Sequence, residues 1–209
     1  TGTTVNDVLV TALTGGLRHY MISRGESVEG VNFRAAIPVN LRKPDEMEDM
    51  GNKFGLVFLS LPIGIEDPLA RLQEVHKRMA KLKDSPEATA ALGILSALGV
   101  SPKEVQVGMV NMVAAKATAV MTNVPGPPIP LYMAGGKIKS LMCWVPQSGR
   151  VSLGLSIISY AGKVMMGIVT DTGLITDPNK ILDGFNKDYN YLLDLTRPRP
   201  ENNINSSEE

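Results

Sequence analysis

Val151-Ser152-Leu153-Gly154-Leu155-Ser156-Ile157-Ile158-Ser159-Tyr160-Ala161-Gly162-Lys163-Val164-Met165-Met166-Gly167-Ile168-Val169-Thr170 decides the fold class, because it reads as two β-strands joined by a two-residue turn. From Val151 to Ile157 the odd positions are Val, Leu, Leu and Ile, while Ser152, Gly154 and Ser156 point the other way. This period of two belongs to a strand with one greasy and one small-polar face. Ala161-Gly162 supplies the tight connection, with glycine free to take a positive φ. Working outward, Phe33 to Val39, Leu56 to Leu61, Ala117 to Thr122 and Ile138 to Trp144 are also rich in β-branched or large apolar residues and bounded by Gly, Pro or Asn.

Helices separate these strands. Asp67-Pro68, Ser85-Pro86, Ser101-Pro102 and Asp177-Pro178 each set a capping oxygen before a proline suited to a first helical turn. Leu69, Leu72, Val75, Met79 and Leu82 form one stripe after the first of these dipeptides, with His76 beside it. Ser101 to Glu104 has capping-box spacing. A further helix opens the chain, with Val5, Val8, Leu9, Ala12, Leu13, Leu17 and Tyr20 at intervals of three and four. Stepping this helix at 100° per residue places Asn6 in the apolar stripe and turns Asp7 away from it. Mixed helices and strands make the class α/β. Residues 1–196 are expected to form one lobe, and the Asn-, Ser- and Glu-rich stretch 197–209 a disordered tail.

Composition narrows the function. With 209 residues and 44% hydrophobic content the chain can bury a real core. Lysine and arginine number 21, as do aspartate and glutamate, so no net field draws the chain to nucleic acid. A single cysteine, Cys143, excludes an internal disulfide framework and suits a reducing, cytoplasmic setting. The apolar run Ala88 to Val100 is broken by Ser96 and falls short of the roughly 20 residues that cross a bilayer. The absence of an initiator methionine at Thr1 suggests a cut fragment.

Motif by motif, self-contained chemistry fails. Gly135-Gly136-Lys137 has Leu131 where a phosphate loop needs glycine and Ile138 where it needs Ser or Thr. One cysteine and two distant histidines, His19 and His76, do not make a metal centre. No Gly-x-Ser-x-Gly elbow presents a nucleophile. Thr4 to Asp7 has capping-box spacing, which by itself accounts for Asp7. Val124 to Pro130 packs four prolines and a glycine into seven residues, a stiff turn that either lines a channel or simply connects two elements. Lys43 to Met50 reads as a solvated charged loop.

Taken in order, Thr4-Val5-Asn6-Asp7-Val8, Ala36-Ile37-Pro38-Val39-Asn40-Leu41-Arg42, Gly51-Asn52-Lys53-Phe54-Gly55, Asn123-Val124-Pro125-Gly126-Pro127 and Val145-Pro146-Gln147-Ser148-Gly149 resemble the C-terminal lobe of the bacterial wax ester synthase/diacylglycerol acyltransferase family. The resemblance implies a chloramphenicol-acetyltransferase-like lobe, a mixed sheet flanked by helices, with a tunnel between it and an N-terminal lobe that carries a His-His-x-x-x-Asp-Gly motif. It implies transfer of a fatty acyl group from acyl-CoA, a co-substrate rather than a resident cofactor, to diacylglycerol or a long-chain alcohol. The general base then lies upstream of Thr1. Asn6 and Asp7 take supporting roles near that base, and Asn123, Val124, Pro125, Gly126 and Pro127 line the tunnel. Leu155 to Gly167 resembles the strand and turn that carry the His motif in related lobes, without the histidine, and Ser156 on its small-polar face is expected to contact the oxyanion or the substrate.

Two rival expectations stand beside this one. In the first the chain is a non-catalytic acyl-chain-binding or interaction lobe, with Met109, Met112, Met165 and Met166 as an adaptable greasy surface. In the second it is the C-terminal lobe of a peptide-synthetase condensation domain. The apolar Ala88 to Val100 helix suits peripheral contact with a membrane or lipid droplet, and equally burial against the N-terminal lobe.

Overall fold

A computed structural model describes residues 1–42, 53–83, 85–146 and 151–197. In chain order the elements are α1 (Val5–Ser23), β1 (Phe33–Asn40), β2 (Phe54–Leu61), α2 (Pro68–Lys83), α3 (Glu87–Gly99), α4 (Lys103–Ala115), β3 (Ala119–Val124), β4 (Tyr132–Met133), β5 (Gly136–Lys137), β6 (Leu153–Tyr160), β7 (Lys163–Thr170) and α5 (Asn179–Asp194). The loop Lys43 to Met50, the Gly51-Asn52 and Gln147-Ser148-Gly149 parts of two motifs, and the tail from Pro198 lie outside the described residues.

Five strands form one mixed sheet in the order β2-β1-β3-β6-β7. β1, β3 and β6 run parallel, and β2 and β7 close the two edges antiparallel. In register, Ala35 faces Leu59 on one side and Ala119 on the other, and Ala119 faces Leu153, so one residue parity points to one face across the whole sheet. That face is the core. Val10, Leu13 and Leu17 of α1, Val75 of α2 and Ile181 of α5 bury Ala35, Leu59, Met121, Leu153 and Leu155. The opposite parity, Ala36, Leu56, Phe58 and Val120, meets α3 and α4.

The β6–β7 hairpin forms as the period of two requires, with both Ala161 (φ 48°) and Gly162 (φ 76°) in the left-handed region that a two-residue turn needs. Each proline-marked helix is present, although Asp67 and Ser85 alone of the four capping residues accept from a first-turn N–H, at 2.7 Å from Ala70 and 3.1 Å from Glu87. Ser101 instead donates back to the Leu98 carbonyl at 2.7 Å, closing the end of α3.

Two expectations change. Ile138 to Trp144 is not a strand; the chain makes the short β4–β5 hairpin before it and then crosses β6 and β7 without a backbone ladder among the described residues. Its hold on the sheet comes from hydroxyls: Tyr160 donates to the Ile138 carbonyl at 2.9 Å and Ser156 to the Cys143 carbonyl at 2.6 Å. This strap lies over Ser156 of β6 and Gly167 of β7, and β6 is buried along nearly its whole length. The second change is on α1, where Asp7 is buried at 1% exposure and Asn6 only half-buried. The first turn sits at the margin of the sheet, between α2 on the Asp7 side and the end of β3 on the Asn6 side, so an ideal helical wheel aimed at one core misassigns it.

A buried polar cluster fastens α1, α2 and α5 together. Arg71, 1% exposed, donates Nη1 to Asp188 of α5, Nε to the Ile65 carbonyl at 2.9 Å and Nη2 to the Glu66 carbonyl at 2.7 Å. His19 Nε2 lies 3.3 Å from the other Asp188 oxygen. Gly15 makes the contact possible, since a Cβ there would overlap the Asp188 carboxylate.

Candidate functional site

Parallel β1, β3 and β6 all end on the same margin of the sheet, the place where open α/β sheets leave a crevice for ligands. The first turn of α1 lies there too. Asn123, at the end of β3, donates its side-chain amide to Asn6 Oδ1 at 2.8 Å, joining two motifs that lie 117 residues apart. Beyond Asn123 the proline loop folds over the end of β6: Gly126 N–H donates to Ser159 Oγ at 3.2 Å, and the Pro127 carbonyl accepts from Ala161 N–H at 3.0 Å. A Cβ on Gly126 would overlap the Ser159 carbonyl, so the sequence must supply glycine here. Asn123, Val124 and Pro125 are exposed, and Gly126 and Pro127 partly so. Proline fixes φ and removes donors, which leaves a rigid, weakly hydrated rim.

Asp7 closes the capping box expected of it. Its carboxylate accepts from Thr4 N–H at 2.9 Å, and its own N–H donates to Thr4 Oγ1 at 3.2 Å. The same Oδ2 lies 2.9 Å from His76 Nδ1. A carboxylate only accepts, so His76 carries the proton on Nδ1 and donates it. Burial works to raise the Asp7 pKa; the hydrogen bonds from His76 and Thr4 outweigh it and hold the carboxyl below its usual range. Sequence reasoning missed His76. Both histidines of the chain meet a buried aspartate, His76 with Asp7 and His19 with Asp188, and in each case the partner is too distant in sequence for spacing to reveal it.

Ser156 is placed differently from expectation. It is 2% exposed inside the sheet, and its proton is committed to the Cys143 carbonyl. An oxyanion donor needs an O–H aimed into open space, so the role that this geometry supports is anchorage of the strap.

On the α3/α4 side of the sheet runs an apolar groove of about 520 Å³, whose lining includes Phe58, Val120, Ile94, Leu98, Met109 and Met112. Lys116 is a charged group on its wall. No cluster of three or more metal-ligating side chains occurs among the described residues, and none of the described helices is long and apolar enough to cross a membrane.

The fold is similar to that of the wax ester synthase/diacylglycerol acyltransferase from Marinobacter aquaeolei VT8, with a TM-score of 0.63 at 23% identity over 91% of this chain and 43% of that one. A nonribosomal peptide synthetase superposes with a TM-score of 0.59 at 18% identity, over 96% of this chain and 21% of that one. In sequence, the chain is 27% identical over 200 residues to a probable diacylglycerol O-acyltransferase of Mycobacterium tuberculosis, covering 94% of this chain and 43% of that protein. A second such protein of the same organism is 28% identical over 172 residues, 80% of this chain and 38% of the relative. The chain thus spans less than half the length of these curated relatives. The WS/DGAT C-terminal domain family matches residues 50–192, from the start of β2 through most of α5, and the chain belongs to that family.

Proposed function

We propose that the chain is the C-terminal lobe of an O-acyltransferase that moves a fatty acyl group from acyl-CoA to diacylglycerol or a long-chain alcohol, making triacylglycerol or wax ester. The observation that carries the reading is the Asn6–Asn123 hydrogen bond. It brings Asn6 and Asn123 together at the end of the parallel strands, where open α/β sheets leave a crevice for ligands, which supports a substrate site there. The general base belongs to an N-terminal lobe bearing the His-His-x-x-x-Asp-Gly motif. There an imidazole takes the alcohol proton as the oxygen attacks the thioester carbonyl; the tetrahedral oxyanion collapses, and the coenzyme A thiolate leaves and is protonated.

In this scheme Asn6 and Asp7 fix the floor beneath the base, and Asn123 to Pro127 form a wall that does not collapse when water is excluded. The groove against α3 and α4 suits an acyl or alcohol chain, because its lining is almost wholly apolar and its methionines adapt to chain shape. Exposed Ile94 and Val100 support peripheral contact with a membrane or lipid droplet.

Coenzyme A release with palmitoyl-CoA and either hexadecanol or diacylglycerol tests the proposal, measured for the chain alone and for the chain combined with an N-terminal lobe of the family. Release only in the combination is the expected result. Turnover by the chain alone would sink the half-site reading, and chain binding without turnover in the combination would favour a non-catalytic lipid-binding lobe.

A further inference from the structure

His76 belongs to none of the family motifs, yet among the described residues it makes the one long-range hydrogen bond to the Asp7 side chain. Its neighbour Val75 lies in the core, which fixes the rotation of α2, while the His76 side chain itself is 44% exposed. The imidazole is therefore not filling a hole. Among the described residues its polar contact is the Nδ1–H donated to Asp7.

We propose that His76 is a positioning residue: by holding the Asp7 carboxylate it fixes the first turn of α1, and so sets Asn6 against Asn123 at the rim of the proline loop. The functional consequence rests on the acyl-transfer reading, whereas the structural one stands without it. First turns fray because their N–H groups lack intrahelical partners. This one is clamped from two sides, by His76 on α2 and by Asn123 on β3. Asp7 Oδ1 is buried with no hydrogen-bond partner among the described residues, so Oδ2 alone carries the carboxylate's bonds. Without His76 a buried anion keeps a single local donor, Thr4 N–H, and turning it toward water becomes favourable. Asn6, one residue earlier, moves with it. The other histidine cannot substitute, since His19 lies 12 residues further along α1, about 18 Å at the helical rise.

Two substitutions separate the hydrogen bond from the bulk of the ring. His76→Asn keeps an N–H near the Nδ1 position; His76→Leu removes it without opening a core cavity. Solvent exchange of the Asn123 side-chain amide, read by NMR on the 209-residue chain, should quicken about tenfold or more in His76→Leu and return toward wild type in His76→Asn. In the two-lobed protein, kcat should fall about 10- to 100-fold with KM unchanged for His76→Leu, as a displacement of about 1 Å at a reacting site predicts, and should recover in His76→Asn. Asp7→Asn, which leaves the ring intact and removes the charge it holds, should reproduce the loss. Wild-type exchange and kcat in His76→Leu would overturn the proposal, and so would equal impairment in His76→Leu and His76→Asn. Absence of coenzyme A release by the wild-type two-lobed protein would instead refute the acyl-transfer reading, leaving the exchange measurement to decide on His76.

Discussion

Replacing Asp188 with alanine isolates what the buried cluster contributes. Arg71 has 1% exposure, so its guanidinium cannot reach water when the carboxylate disappears. It keeps two donors on the Ile65 and Glu66 carbonyls, but these are dipoles rather than charges. Breaking a buried pair by removing one partner costs about 3–5 kcal/mol, because the remaining charge is left uncompensated. The two carbonyl contacts place this site toward the lower end. For a chain of this size each kcal/mol shifts the midpoint by about 2–4 °C, so a loss near ~3 kcal/mol lowers it by about 6–12 °C. Urea unfolding followed by far-UV circular dichroism gives the free energy directly. The paired replacement Arg71→Met with Asp188→Leu removes both charges and should recover most of the loss, within about 1 kcal/mol of wild type. Glu74→Ala, which breaks the partly exposed pair with Arg78, should cost at most about 0.5 kcal/mol. If Asp188→Ala costs under about 1 kcal/mol, or if the double replacement is no better than the single one, the cluster is not the fastening between α1, α2 and α5 described above.

Three further outcomes follow from the geometry. Gly126→Ala forces a Cβ into the Ser159 carbonyl and should destabilise by about 1–3 kcal/mol, measured as a lowered urea midpoint; a neutral result would mean the loop does not lie against β6. Asp7 has a depressed folded-state pKa, so its contribution is present above its ordinary value of 3.8 and is lost as pH falls through the folded value. The stability gap between wild type and Asp7→Asn should accordingly be wide at pH 7 and narrow below pH 3.8; a gap independent of pH contradicts the assigned charge state. Ser156→Ala should cost about 1 kcal/mol through the lost bond to Cys143 and leave turnover of the two-lobed protein close to wild type, whereas lost turnover at unchanged stability would restore a substrate contact.

Local chemistry was legible in the sequence where the cause is local. The hairpin from Val151 to Thr170 follows from alternation within one strand, and the helix starts from single dipeptides, because those signals act over a few residues. Segment Ile138 to Trp144 has strand-like composition but no ladder; the groups that hold it, Tyr160 and Ser156, are 22 and 13 residues away. A helical wheel assumes one core on one side, whereas the first turn of α1 meets α2 through Asp7 and the end of β3 through Asn6. The family motifs located Asn6 and Asn123 without revealing that they bond to each other. His76 carried no signal, since its partner lies 69 residues earlier on another helix.

After β5 the chain is gripped at two backbone carbonyls, Ile138 by the Tyr160 hydroxyl and Cys143 by the Ser156 hydroxyl, and the same tyrosine accepts from the Leu131 N–H just before β4. Main-chain groups are common to nearly every amino acid. The residues between these two carbonyls, among them exposed Met142, are thus free to drift while the path of the chain persists. The sequence can therefore diversify along this stretch at little risk to folding, provided that Tyr160 and Ser156 stay in place. A library randomised from Lys139 to Met142 with those two hydroxyls fixed should keep a urea midpoint close to that of the parent chain.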